Sequence, residues 1–215
     1  ARRLQGWWTV SLAGEPVVTA IPADGVPVDA LAAFAAGGQA ADRAIDEGAT
    51  VIVPRSAGPD LVPARSLVAL LTRREASLVT PQPLGMRDRE WMSQCVAIRD
   101  AVTTAADLRG DPLTLLNRVG AYRVAFLVGV LLEAAARRTP CLVDGTEPAA
   151  AALVADRLAF RAKAWWREAT TSTDPAQRAA VERIDLTPGL PLGLSDETGR
   201  GADAAVALLR LVVDP

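Results

Sequence analysis

Thr50-Val51-Ile52-Val53, bounded by Gly48 and Pro54, and Pro140-Cys141-Leu142-Val143, closed by Asp144-Gly145, are the stretches that decide the fold. Each is a short continuous apolar run between turn signals, the pattern of a strand buried on both faces. Between them lie helical stretches at Val62 to Arg74, Asp88 to Asp107 and Leu113 to Arg138, the last interrupted near Gly120. Strands alternating with helices predict an α/β protein whose mostly parallel sheet is covered on both faces.

Outward from this centre, Trp7 to Leu12 and Val17 to Ile21 are two β-rich runs around Ala13-Gly14-Glu15-Pro16, which predicts an N-terminal β-hairpin. Pro22 to Val28 is a loop. Asp29 then caps a helix running through Leu31 and Phe34 to Ile45 despite Gly37-Gly38, and Gly48 closes it. From Pro148 to Arg167 apolar positions recur at helical spacing, and Asp174-Pro175 starts a helix through Arg183. Thr187 to Gly201 holds two prolines and four glycines with little periodicity and reads as a loop; Ala202 to Val213 is the closing helix. The expected organisation is one α/β domain, with hairpin and loop in 1–28 and the core in 29–215.

Composition narrows the function. Of 215 residues half are hydrophobic and 22% charged, enough for one well-buried core. Mean hydropathy is +0.20. Yet the longest apolar stretch, Val124 to Leu132, is nine residues, against roughly 18 for a membrane span. Twenty-three basic and 25 acidic residues leave a net charge of −2, so nucleic acid is not an expected partner. Histidine is absent, which removes His-based triads and zinc sites. Cys95 and Cys141 stand too far apart for a CxxC pair and read as two buried thiols. With no charged n-region and apolar h-region at its start, the chain reads as cytoplasmic. No metal or cofactor is expected.

The stretch from Asp111-Pro112-Leu113 through Val119-Gly120-Ala121-Tyr122, and on through Ala134-Ala135-Ala136-Arg137-Arg138 to Asp144-Gly145, resembles the nicotinate-nucleotide:dimethylbenzimidazole phosphoribosyltransferases of cobalamin synthesis. In that family a helix follows a Val-Gly-Gly turn, ends in an Ala-Ala-Arg-Arg-like stretch, and leads to a strand closed by Asp-Gly and an Ala-rich helix, which Ala149 to Ala155 supplies here. Ser172 to Arg178 sits where the family has Ser-Ala-Glu-Pro-Gly-His-Arg, and the distance to the closing Gly-rich loop is kept. The resemblance covers Leu31 to Val213 and is most specific in the C-terminal half. It implies a three-layer α/β/α sandwich, working as a homodimer, that moves phosphoribose from nicotinate mononucleotide to a benzimidazole nitrogen. Such chemistry needs backbone N–H groups around a phosphate and a carboxylate base.

This sequence departs from the family at those places. The family's Gly-Glu-Met-Gly-Ile-Gly-Asn-Thr-Thr phosphate loop falls on Pro54 to Val62, where Gly58 is the one glycine and Pro54 and Pro59 lack an N–H. Arg55 can substitute side-chain charge. A second Gly-rich turn falls near Thr80 to Gly85 and is rewritten with prolines. The family's Arg-Leu-Gly-Glu-Gly-Thr-Gly-Ala loop matches Ser195 to Ala202: Gly199 and Gly201 survive, Thr198 stands at the base position, and Glu197, one residue earlier, is the carboxylate that can take a proton. Read without the family, Glu197 is a solvated or helix-N-terminal carboxylate. The family's Gly-Gly-Phe-acidic turn is Gly120-Ala121-Tyr122-Arg123, and its histidine is Gln177.

Asp144 and Gly145 stand at a strand's C-terminal end, where α/β sheets bind ligands. Arg178 is retained and placed to pair with Asp174 at helical spacing. Trp7-Trp8 and Trp165-Trp166 cannot each share one face, so one indole of each pair is expected at the surface, on the hairpin and at a helix end. Taken together, the residues describe a divergent homologue with eroded phosphate loop and base that binds a nucleotide, a benzimidazole-like ligand, a corrinoid precursor or a protein, as a homodimer or as a heterodimer with a catalytic homologue. The alternative is an active phosphoribosyltransferase with Glu197 as base and Arg55 on the phosphate.

Overall fold

In the computed structural model of the chain, residues 16–197 and 199–213 are described. Five strands form one sheet: β1 (Val18–Pro22), β2 (Val51–Arg55), β3 (Cys141–Val143), β4 (Trp166–Ser172) and β5 (Pro188–Ser195). Their order in the sheet is their order in the chain, and every pairing is parallel. Eight α-helices accompany them among the described residues: α1 (Ala30–Asp46), α2 (Val62–Thr72), α3 (Asp88–Thr104), α4 (Pro112–Arg118), α5 (Tyr122–Ala136), α6 (Thr146–Leu158), α7 (Pro175–Arg183) and α8 (Arg200–Val213).

Right-handed crossovers between strands that always step the same way place every crossover helix on one side of the sheet. The core reflects this. Ile52, Cys141 and Val143 pack with buried residues of α1, α2, α5, α6 and α7. Val51, Val53, Leu142 and Ala169 turn to the other face, where Ala202, Ala205 and Val206 of α8 meet them. Alternate residues of β2 therefore face opposite helical layers, the period-2 consequence of a pleated strand. The α/β/α sandwich expected from the sequence is present, its sheet fully parallel across the described strands. Of the expected hairpin, the run from Trp7 to Leu12 lies outside the described residues; the second run is β1, paired in parallel with β2.

The helix across Gly37-Gly38 forms because Asp29 caps it, its carboxylate accepting the Ala32 N–H at 2.8 Å. Gly37 is tolerated for a packing reason. A Cβ on Gly37 would collide with the Phe126 carbonyl oxygen of α5, and one on Gly129 with that of Phe34, so α1 and α5 cross backbone to backbone. Gly38 has no such neighbour: a Cβ there meets nothing nearer than 4.0 Å.

Four readings of the sequence need correction. The helix expected from Pro148 to Arg167 ends at Leu158, and Trp166-Arg167 open β4 instead. Neither indole of the Trp165-Trp166 pair stands exposed: Trp166 is fully buried, its indole N–H donating to the Leu131 carbonyl at 3.2 Å, and Trp165 is partly buried against the same core. The loop expected from Thr187 contains β5, a sheet-edge strand among the described residues, where Pro188 and Pro191 cost no essential ladder bond. Cys141 is buried and Cys95 only partly so; both thiols are free.

The two adjacent glycines of α1 make a matched test. Gly37→Ala should destabilise by about 1–3 kcal/mol through overpacking, whereas Gly38→Ala should be neutral or stabilise by up to about 1 kcal/mol through helix propensity. Urea denaturation of both variants decides the matter.

Candidate functional site

The carboxyl ends of β2 to β5 and the N-termini of α6 and α8 meet at one edge of the sheet, the position where parallel α/β sheets form ligand crevices. Two carboxylates are exchanged across it. Asp144, just after β3 and 3% exposed, accepts the Ala202 N–H in the first turn of α8 at 2.7 Å. Glu197, just before α8, accepts the Thr146 N–H at the start of α6 at 3.0 and 3.1 Å on its two oxygens. Each helix N-terminus thus receives an anion from the chain leading to the other. Gly201 is required for the contact: a Cβ there would lie 2.8 Å and 2.9 Å from the Asp144 oxygens.

Around Glu197 the Ser56 hydroxyl donates at 3.3 Å. The Thr146 hydroxyl is buried without a partner of hydrogen-bond geometry, although it lies close enough to help hold the Glu197 pKa down. Burial outweighs these donors and raises the Glu197 pKa; the Asp174 charge adds to the rise and Arg65 opposes it. Arg65 of α2, itself buried, donates to Asp174 at 3.0 Å. Asp174 also caps α7, accepting the Ala176 and Gln177 N–H groups at 2.8 and 3.1 Å.

A second chain of groups supports the turn at Gly145. Its N–H donates to Gln177 Oε1 at 3.1 Å, and Gln177 Nε2 donates to Glu168 of β4 at 3.4 Å. Glu168 is 3% exposed. Burial, with the Asp144 charge nearby, pushes its pKa up to about 7, against the Gln177 hydrogen bond.

The segment after β2 is held by α5. Arg123 donates to Glu147 of α6 at 2.7 Å and to the Asp60 carbonyl at 2.6 Å. Its guanidinium presses on Gly58, where a Cβ would come 3.1 Å from Nη1. Burial raises the Glu147 pKa, opposed by Arg123 and by the Ala57 N–H.

Of the residues expected from the sequence, Glu197, Asp144, Gly145, Gly199 and Gly201 come together at this edge, and Gly58 lies on its Arg123 side. Arg55 reaches it but pairs with Asp203 of α8, packed so that a Cβ on Gly199 would strike its guanidinium. Arg178 is exposed on α7, and the Asp174 partner expected for it is taken by Arg65. Thr198 lies outside the described residues. Sequence reasoning missed Ser56, Arg65, Thr146, Glu147 and Glu168. Ser56 and Thr146 carried a signal, each falling within a few residues of a strand end; Glu168 carried none, because the start of its strand was read as helix and the stretch after Arg167 was assigned to no element.

Glu168 gives a pH signature. Its carboxyl is raised in the fold from 4.5 to about 7, so the folded state binds the extra proton and stability falls as pH rises through that window. Glu168→Gln should flatten this fall, whose limiting slope is about 1.4 kcal/mol per pH unit. Melting temperatures of both proteins across the window check it; parallel curves would refute it.

Comparison with known proteins gives this site its setting. A family model described as Phosphoribosyltransferase matches residues 27–214. A nicotinate-nucleotide–dimethylbenzimidazole phosphoribosyltransferase of Streptomyces avermitilis is 41% identical over 182 residues, 84% of this chain and 48% of that protein. One from Mycobacterium ulcerans is 39% identical over 183 residues, 85% of this chain and 51% of its own. The crystal structure of CobT from Thermus thermophilus superposes with a TM-score of 0.76 at 29% identity, covering 86% of this chain and 55% of that one. The chain spans about half the length of the curated relatives it matches. No helix among the described residues is long and apolar enough to cross a membrane. On this likeness of sequence and fold, the chain belongs to the nicotinate-nucleotide–dimethylbenzimidazole phosphoribosyltransferase family.

Proposed function

We propose that this chain is a binding member of its family that no longer performs phosphoribosyl transfer, and that it retains affinity for a nicotinate mononucleotide-like or benzimidazole-like ligand in the service of cobalamin lower-ligand chemistry. One observation carries the reading. The N-termini of α6 and α8, which face the crevice and would offer N–H groups to a substrate phosphate, are engaged by Glu197 and Asp144 from within the chain. The loop after β2 adds to this. Arg55 is paired with Asp203, and Arg123 ties the loop to Glu147. A phosphate entering there has to displace formed charge-assisted bonds, and losing one preorganised donor lowers turnover by about 10²–10³.

The second reading, an active transferase, is favoured by Glu197 itself. The carboxylate faces the crevice and burial raises its pKa, the direction that suits a general base. Loss of a positioned base costs roughly 10²–10⁴ in rate.

Calorimetric titration with nicotinate mononucleotide and then 5,6-dimethylbenzimidazole, with assay of α-ribazole phosphate in the same sample, separates the two. Saturable heat without product is expected. Product that disappears in Glu197→Gln would establish the active reading instead, and absence of binding by either compound would remove the ligand role. Native mass spectrometry of the same sample reports whether a homodimer forms or a different chain is needed.

A further inference from the structure

At the opposite edge of the sheet, the start of β4 and the connection from α7 to β5 frame an open cavity of about 580 Å³ lined by Phe160, Arg161, Lys163, Arg167, Asp185 and Thr187. Its volume is within the range of small-molecule sites. Phe160 leaves a large ring 66% exposed to water. The Arg161 guanidinium stands 5.7 Å from that ring's centroid, so the aromatic face already carries a cation at its side.

The exposed lining is mostly apolar, with Ala164 and Leu186 beside Phe160, and its charged residues are three cations, Arg161, Lys163 and Arg167, and one carboxylate, Asp185. Lys163 is the chain's single lysine. Its ammonium donates to the Ile184 carbonyl at 3.0 Å, with Asp156 4.0 Å away, which fixes its position and leaves donor capacity beyond that bond. Arg167 is anchored by its bond to the Trp166 carbonyl at 2.7 Å. Burial lowers its pKa, so an anion placed beside it stabilises the charged form. Asp185 holds a left-handed backbone, φ 53°, at the end of α7, and Thr187 brings a hydroxyl to the same wall.

From this set we infer that the cavity is a second binding site, for a small phosphorylated aromatic molecule of the nucleoside monophosphate class. Phe160 stacks on the ring, Arg161, Lys163 and Arg167 surround the phosphate, and Asp185 with Thr187 meets sugar hydroxyls. The aromatic, charged and hydroxyl residues of the lining each meet one part of such a ligand, and Ala164 and Leu186 complete its apolar surface. A polynucleotide is a poor fit, because three cations in one cavity on a chain of net charge −2 provide no track for successive phosphates. None of these residues belongs to the crevice at the other edge, so this site stands or falls apart from the proposed function.

The test is calorimetric titration of the full chain with AMP. Binding is expected that weakens at least about tenfold in Phe160→Ala and in Arg161→Ala, equivalent to about 1.4 kcal/mol. It should also weaken with added salt. Both alanine substitutions remove side chains that stand out from the surface, so melting temperature should hold and a loss of binding cannot be a loss of fold. No saturable heat at millimolar AMP, or binding indifferent to both substitutions, would overturn the assignment.

Discussion

The cross-capping of α6 and α8 is the constraint on which the carboxyl-terminal edge of the sheet depends. A parallel sheet ends with strand carbonyls and helix N–H groups crowded at one edge, and the N–H groups of each helix's first turn have no partner within the helix. Here Asp144 supplies one partner to α8 and Glu197 one to α6. Because Asp144 follows β3 and Glu197 follows β5, the exchange also locks the two faces of the sheet: α6 belongs to the crossover layer and α8 to the other.

Negative charge accumulates there as a result. Asp144, Glu147, Glu168, Asp174 and Glu197 are gathered around the strand ends, and three of them have raised pKa values caused first by burial. The compensation is distributed: Arg65 on Asp174, Arg123 on Glu147, N–H groups on Asp144 and Glu197, and an amide on Glu168. Buried charges of this kind are tolerable only when each is paired or hydrogen-bonded. Such a network favours one arrangement of the crevice.

The helical layer is built by a different rule. Its buried residues are largely alanines, valines and leucines, and the α1–α5 crossing depends on backbone contact at Gly37 and Gly129. Small residues permit that approach, and the packing density it achieves replaces the area a larger side chain would bury. Trp166, at the first position of β4, fills the space below α5 and satisfies its indole N–H on that helix.

The sequence by itself determined the class of fold, the positions of β2 and β3, the helix starts at Asp29 and Asp174, and the family. All of these reside in local pattern: continuous apolar runs, helical spacing, and carboxylates that accept N–H groups two or three residues onward. Only the tertiary structure decided that β4 and β5 are strands, that Arg65 and not Arg178 pairs with Asp174, and that Glu197 lies in the crevice. The reason is separation along the chain. Glu197 meets Thr146 across 51 residues, Asp144 meets Ala202 across 58, and Arg65 meets Asp174 across 109. Local propensity carries no information about such pairs. They form because burying the sheet between two helical layers brings their carriers to one edge, where each carboxylate must find a donor in place of water.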